Sequence, residues 1–459
     1  MTPEAPLHGP LDVPLMSIRR MLEGVIPAVM CTVAADGTPH VCFLSQAEYV
    51  DADHVALSFQ FFNRSRQNIL ATRQVCLAVD DPYTASGVRL YLEYLRTDTE
   101  GPLFERMRAK LAGIASHSGM DKVYHLQGAD LYRVKRVQRV QGRGELAAPA
   151  PRCDLQPASC LLCERLAACQ DVAALFDTLL EGLATLMRID HAMLLLVDAT
   201  TQRLYTVASR GYPVSGVGAE IEIGQGVAGI AAREAVPIRI GHLTLWNTYA
   251  RAIRRRAEDI GLGAVADDEI PLPGLAEPRS QIAVPLKLMG RVTGVLLAES
   301  ELDQHFSYDD EDALTVLAHQ VAMALALLQQ READGPPAAP PPLSGPAPAA
   351  GDVLRVRHYP HNDSVFVGDD YLIKGVAGAI LRKLVHEHLT LGRQEFSNRE
   401  LRLDPSLKLP DIADNLEARL ILLQRRLAER CPALRLEKTG RGRFRLVCDR
   451  PLQLHTVGA

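Results

Sequence analysis

Between Arg331 and Asp352 the chain reads READGPPAAPPPLSGPAPAAGD, a stretch that holds 7 of its 29 prolines. Proline lacks a backbone N–H and alanine has little side chain to bury, so this segment can neither pair into a sheet nor build a core. It reads as an extended, semi-rigid tether, and whatever the chain folds into is divided there. A softer boundary, GRGELAAPAPRCDLQPAS, runs from Gly142 to Ser159. The expected blocks are 15–145, 155–331 and 352–459, with a linker at 332–351. Three blocks suit a length of 459 residues at about 150 per domain.

Composition narrows the class of protein. The best apolar run, Ala318 to Leu328, is interrupted by His319 and Gln320 and falls short of the ~18 residues a membrane helix needs. The opening MTPEAPLHGPLDVP has no basic start followed by an apolar core, so no secretory signal is expected. Nine cysteines, an odd count, read as free thiols in a reducing compartment. A cytoplasmic chain is the expectation. From Gly351 onward there are 19 Lys/Arg against 14 Asp/Glu, a net +5. The whole chain carries 50 against 55, so the remainder has 31 against 41, a net −10. An anionic partner is therefore expected at the C-terminal end.

In the first block, Pro27 to Thr32 and His40 to Leu44 flank Asp36–Gly37, a hairpin signal. Val55 to Phe62 and Val75 to Val79 extend the sheet around a short helix in NRSRQNILATR. Leu103 to Ala115 is an amphipathic helix, and Ala129 to Val140 a closing strand. Short strands with few helices predict a small β-barrel. VMCTVAADGTPHV, SFQFFNRSRQNILATRQVCLAV and LAGIASHSGMDKVYHLQGADLYRV together resemble the pyridoxamine-5′-phosphate-oxidase-like, FMN-binding split barrel. That resemblance implies a flavin phosphate held by a Ser-Arg-Lys step at the start of the short helix. Ser65 and Arg66 match the first two positions, Gln67 replaces the lysine, and Arg64 is the compensating cation. FMN is thus the cofactor implied, and a flavin-dependent oxidoreductase with regulatory domains is the alternative function.

The second block opens with leucines 161, 162, 166, 175, 179, 180 and 183, at helical spacing from Cys160 to Met187. One continuous helix is expected, forming a parallel dimer seam because its leucines exceed what one small domain needs. Cys153, Cys160, Cys163 and Cys169 fall close together, but on such a helix they read as a small-residue seam, not a metal site. Gly224, Gly226 and Gly229 spell G-x-G-x-x-G. A dinucleotide fold would need an acidic residue some 20 positions on, where the chain carries Arg251, Arg254, Arg255 and Arg256 instead. EIGQGVAGIAAREAVPIRI followed by SQIAVPLKLMGRVTGVLLAES resembles a GAF domain over roughly Val172 to Gln329. The resemblance implies an α+β fold and a small-molecule pocket that His242 could face, the bland alternative being a surface-loop histidine.

Beyond the tether, Tyr371 to Leu389 has helical periodicity, SNREL is a short helix with Ser397 as N-cap, and Asp411 to Arg430 is a third helix. Leu416, Leu420, Leu423 and Leu427 form the core face of that last helix. Ile421 and Leu422 fall on its outward half. ALRLEKTGRGRFRLVC reads as a hairpin turning at Gly440 and Gly442. Three helices and a basic hairpin predict a winged helix-turn-helix, and NLEARLILLQRRLAE with LRLEKTGRGRFRL resembles the response-regulator type. The resemblance implies DNA contacts by Asn415, Arg425, Arg426, Lys438, Arg441 and Arg443. Exposed Ile421 and Leu422 leave protein docking as the alternative use of this face.

The expected whole is a multidomain chain of split barrel, GAF domain and winged helix. Its expected role is a homodimeric one-component transcriptional regulator that senses a flavin, redox state or small ligand.

Overall fold

The computed structural model describes residues 13–23, 28–44, 46–60, 63–81, 83–118, 126–140, 151–198, 201–241, 270, 272–333, 352–407, 409, 416–440 and 442–457. Its first sheet comprises β1 (Ala28–Val33), β2 (Pro39–Leu44), β3 (Ala47–Tyr49), β4 (His54–Phe59), β5 (Gln74–Asp80), β6 (Gly87–Asp98) and β7 (Gly128–Val140). The order is β2-β1-β5-β6-β7-β4-β3, antiparallel throughout. This curled sheet encloses a core that includes Leu57, Leu77, Leu90 and Val137, closed by Leu15, Ile18 and Leu22 of a 3-10 helix. The Asp36–Gly37 turn is present: Gly37 has φ +86°, and Thr38 N–H donates to the Asp36 carboxylate. Helix α1 (Arg64–Thr72) follows β4, and α2 (Pro102–Ser118) follows β6. The long β6 was not among the expected strands, although Val88, Leu90 and Leu92 alternate inward along it.

In the second region α3 (Leu155–Ala167) and α4 (Val172–Met187) precede a six-stranded sheet. Its members are β8 (His191–Asp198), β9 (Arg203–Arg210), β10 (Glu220–Glu222), β11 (Ile238–Ile240), β12 (Ser280–Leu288) and β13 (Arg291–Ser300), in the order β10-β9-β8-β13-β12-β11. The expected single helix from Cys160 to Met187 is in fact two. Asp171 accepts the Ala174 N–H and starts α4 afresh, so the chain breaks just before it. Six of the seven leucines named for that seam are buried within the chain, and Leu161 is exposed. Leu162, Leu166, Leu175, Leu179, Leu180 and Leu183 are all buried in one core with the sheet and with α6 (Tyr308–Ala333). That last helix is long and apolar enough to cross a membrane by length and composition, yet Leu314, Leu317, Val321 and Leu325 are part of this core. Successive residues of the strands serve two faces. Leu194, Leu196, Ile282, Val284, Leu296 and Ala298 meet the helices. Met193, Leu195, Ala283, Val295 and Leu297 face the opposite way, toward α5 (Gly226–Glu234).

The first two regions meet through buried charges. Lys110 of α2 lies 3.1 Å from Glu48 and 3.6 Å from Glu311 at the start of α6. Arg239 of β11 sits 3.1 Å from the same Glu311, and Arg19 and Arg239 both lie over the Tyr308 ring, 4.2 and 4.3 Å from its centre.

The tether expected at 332–351 lies, beyond Ala333, outside the described residues. C-terminal to it, β14 (Leu354–Tyr359), β15 (Ser364–Val367), β16 (Asp370–Ile373) and β20 (Leu452–Thr456) form a sheet ordered β16-β15-β14-β20, with β14 and β20 parallel. The helical periodicity expected from Tyr371 begins only at Gly375, because Asp370–Ile373 pairs with β15 as a strand. Helix α7 (Gly375–Leu391), β17 (Glu395–Ser397), α8 (Asn398–Leu403), α9 (Leu416–Arg430), β18 (Leu434–Gly440) and β19 (Arg443–Cys448) follow. The second small sheet has the order β17-β19-β18. Ser397 caps α8 in a reciprocal pair with Glu400, as its position suggested.

Candidate functional site

Three strands of the six-stranded sheet place polar residues in one row on the α5 face. His191 opens β8 opposite Glu299 of β13, and Glu299 lies opposite Gln281 of β12. Apolar side chains line the rest of that face, so the row forms its polar end. Glu299 is only 5% exposed. The Gln281 amide donates to one of its carboxylate oxygens (2.5 Å) and the Leu275 N–H to the other (3.0 Å). Burial pushes the Glu299 carboxyl above the usual carboxylate range, and the two donors only partly offset this. The Tyr212 ring stands 5.7 Å from His191, and its phenol is pushed far up by burial and by the Glu299 charge. The arrangement is a buried carboxylate framed by an amide, an imidazole and a phenol at the edge of an apolar face. Such a site suits a small molecule with one apolar part and one hydrogen-bonding or cationic part. His242, the residue expected to face a pocket, lies outside the described residues.

The three glycines of G-x-G-x-x-G serve the backbone. Gly224 N–H donates to the Gly229 carbonyl, and a Cβ on Gly229 would stand 2.5 Å from the Glu222 carbonyl oxygen. They let the turn entering α5 close tightly against β10, which is a packing role.

Around α1 the residues carried over from the flavin resemblance do not converge. Arg64 and Gln67 are exposed, while Ser65 and Arg66 are buried. The Ser65 hydroxyl pairs with Cys42 Sγ at 3.2 Å. Arg66 turns inward: it pairs with Asp130 at 2.5 Å, donates to Thr97 at 2.7 Å and lies over the Phe59 ring at 4.3 Å. Asn63 accepts the Arg66 N–H and so occupies the helix start. A phosphate dianion placed beside Arg66 would confront the Asp130 carboxylate that already neutralises this cation, while Arg64 stays on the exposed side of the helix. In this arrangement the Ser65 and Arg66 side chains are turned to protein partners and do not present the phosphate contacts that the resemblance implies.

Two of the cations expected at DNA, Arg425 and Lys438, reach the second region. Arg425 donates to the Asp177 carboxylate of α4 (2.6 Å) and to the Val207 carbonyl of β9 (2.9 Å). Lys438 lies 3.4 Å from Asp171. Arg426 is buried, donating to the Leu372 carbonyl and pairing with Glu429. Arg443 is half-buried on β19, while Asn415 and Arg441 lie outside the described residues. Arg419, which the sequence reading did not single out, is 4% exposed, lies 2.8 Å from Asp198 and stacks 3.8 Å over the Tyr205 ring. Ile421 and Leu422, expected to be exposed, are 6% and 2% exposed. A Cβ built on Gly218 would lie 4.0 Å from Leu422 and 3.9 Å from Arg426, which places α9 against the loop after β9. The outward half of α9 thus faces protein, because its aliphatic residues find a matching surface on the same chain. No periodicity in the sequence could announce this, since the partner residues lie some 200 positions away.

The cysteines from 153 to 169 also part company. Cys153 faces the Met187 carbonyl, Cys169 faces Arg165 and Thr178, and Cys160 is exposed.

The GAF domain family model matches residues 169–326 of this chain. Among solved structures, the GAF domain of an Acinetobacter phosphoenolpyruvate-protein phosphotransferase is similar at 19% identity, covering 39% of this chain and 95% of that one, with a TM-score of 0.30. Free methionine-R-sulfoxide reductase from Neisseria meningitidis, solved with its substrate, shows 21% identity, coverage of 40% and 96%, and a TM-score of 0.30. An FMN-binding protein from Syntrophomonas wolfei shows 19% identity, coverage of 28% and 88%, and a TM-score of 0.25. No curated protein matches the chain.

Proposed function

We propose that this chain is a ligand-responsive regulator whose GAF region senses a small molecule and whose C-terminal region is a winged helix-turn-helix that binds DNA. The sensing half is supported by the family match over 169–326 together with the buried Glu299 row on the α5 face. The output half rests on one observation of topology. Three helices, α7 to α9, precede a basic hairpin, and the hairpin joins β17 in the order β17-β19-β18. This order supports the reading of a wing beside a DNA-reading helix. The net +5 from Gly351 to the end agrees with an anionic partner.

Two assays test the reading. Enrichment of genomic DNA fragments, with the full chain and residues 352–459 side by side at low salt, should recover a common site. Failure of both to enrich any fragment overturns the DNA-binding half. A thermal-shift screen with amines, oxo acids and cyclic nucleotides should find a ligand whose shift is lost in Glu299→Gln. A ligand that stabilises both proteins equally removes the α5 face as its site.

A further inference from the structure

Three carboxylates of the GAF region meet three cations of the C-terminal region. Asp198 holds Arg419, Asp177 holds Arg425 and Asp171 holds Lys438. Two of those cations, Arg425 and Lys438, are the ones a DNA phosphate or base edge would require under the reading above, and the third lies on the same helix. Between the ion pairs, Ile421 and Leu422 are buried, and Arg425 also donates to the backbone of β9. We propose that the face made by α4 and its N-cap, the end of β8 and β9 is an intramolecular latch. Its aspartates occupy the positions of DNA phosphates, so in this closed form the helix that would enter the groove is covered by the sensor. The proposal rests on the DNA-binding reading of the C-terminal region.

The chemistry of the latch is competitive. A guanidinium that donates to an aspartate and a backbone carbonyl cannot at the same time donate to phosphate or to a base. Arg419 and Asp198 exclude water at the centre, where losing one partner would leave a buried charge uncompensated. Asp177 and Lys438 lie at the exposed rim, where salt screens the attraction. The latch also has a physical connection to the candidate ligand face. The loop carrying Gly216 and Gly218 touches α9 on one side and Pro273 and Ile270 on the other. Two residues beyond Pro273, the Leu275 N–H holds Glu299. A ligand that moves Ile270 and residues 272–275 therefore acts on the surface against which α9 is seated. The tether at 332–351 joins the two bodies, so the C-terminal region stays at high local concentration and recloses when the ligand leaves.

Two variants of the full chain separate the latch from the reading beneath it. Asp177→Asn/Asp198→Asn removes both charges while keeping the side-chain shape. Asp177→Arg changes one exposed position of α4, where folding tolerates it, and sets like charge against Arg425. Small-angle scattering reads opening, and fluorescence anisotropy with a 24-base-pair mixed-sequence duplex reads occlusion. The expected result is a larger radius of gyration and duplex binding tighter by about tenfold or more, since apparent affinity scales with the open fraction. Unchanged size and unchanged affinity in both variants overturn the latch. A compact wild type that already binds duplex as tightly as the variants overturns it too. Opening without any duplex binding upholds the latch and overturns the DNA-binding reading instead.

Discussion

Replacing Arg66 with methionine tests whether this residue is structural, as its geometry argues. The guanidinium is held against Asp130 at 2.5 Å, both side chains are below 10% exposed, and the Phe59 ring lies 4.3 Å beneath it. Removing one partner of a buried pair costs about 3–5 kcal/mol, because the other charge is left without compensation. The lost cation–π contact adds about 1 kcal/mol. Protonation of Asp130 returns part of this, since burial already raises its carboxyl above the ordinary value. A net loss of about 4 kcal/mol in the first sheet should lower its transition by roughly 10 °C or more in scanning calorimetry. The pH dependence has a definite sign. A carboxyl with a raised folded-state pKa contributes stability below its unfolded value of 3.8, and that contribution disappears as pH rises through the folded value. Arg66→Met raises the folded value further, so its deficit should be largest near pH 7 and should shrink toward pH 4. Arg66→Met/Asp130→Leu should recover most of the loss, with a coupling of about 2–4 kcal/mol in the double-mutant cycle. A single-variant loss below about 1 kcal/mol, or a deficit independent of pH, would refute the reasoning and reopen Arg66 as a ligand-binding cation.

Gly378→Ala should destabilise the C-terminal region by about 1–3 kcal/mol in urea unfolding, because a Cβ there would overlap the Asp363 carbonyl oxygen. Ordinary helix propensity predicts the opposite sign by about 1 kcal/mol, so a stabilised variant sinks the packing argument. Asp404 is held at about 2 by its hydrogen bond to Lys383 and then by Ser406. It therefore contributes stability above pH 3.8 that is lost as pH falls through about 2. Asp404→Asn should cost under about 1 kcal/mol at neutral pH, screened as it is by solvent, with no difference from the parent below pH 2. An undiminished difference in acid would count against the Lys383 pairing.

Much of the local structure was already written in the sequence. The Asp36–Gly37 turn, the short helix α1, the closing strand β7 and the core stripe of α9 follow from turn chemistry and periodicity, which act over a few residues. The tether expected from composition lies, beyond Ala333, outside the described residues, whereas the pattern of the second region sufficed for the GAF family model matched over 169–326. The break between α3 and α4 was legible too, in Asp171 followed by apolar residues, but the run of leucines on either side masked it.

The direction and pairing of charged side chains were not legible. Arg66 sits where a phosphate-binding residue would, yet Asp130, 64 positions on, takes its charge. Glu299, Gln281 and His191 become neighbours only through the register of β8, β13 and β12. Ile421 and Leu422 lie off the leucine stripe of α9, yet they are buried rather than exposed; sequence could not say what that side faces. Periodicity fixes which residues share a face, because backbone geometry is local. The occupant of that face depends on contacts across some 200 positions, and only the folded chain brings Asp177, Asp198 and Val207 to meet it.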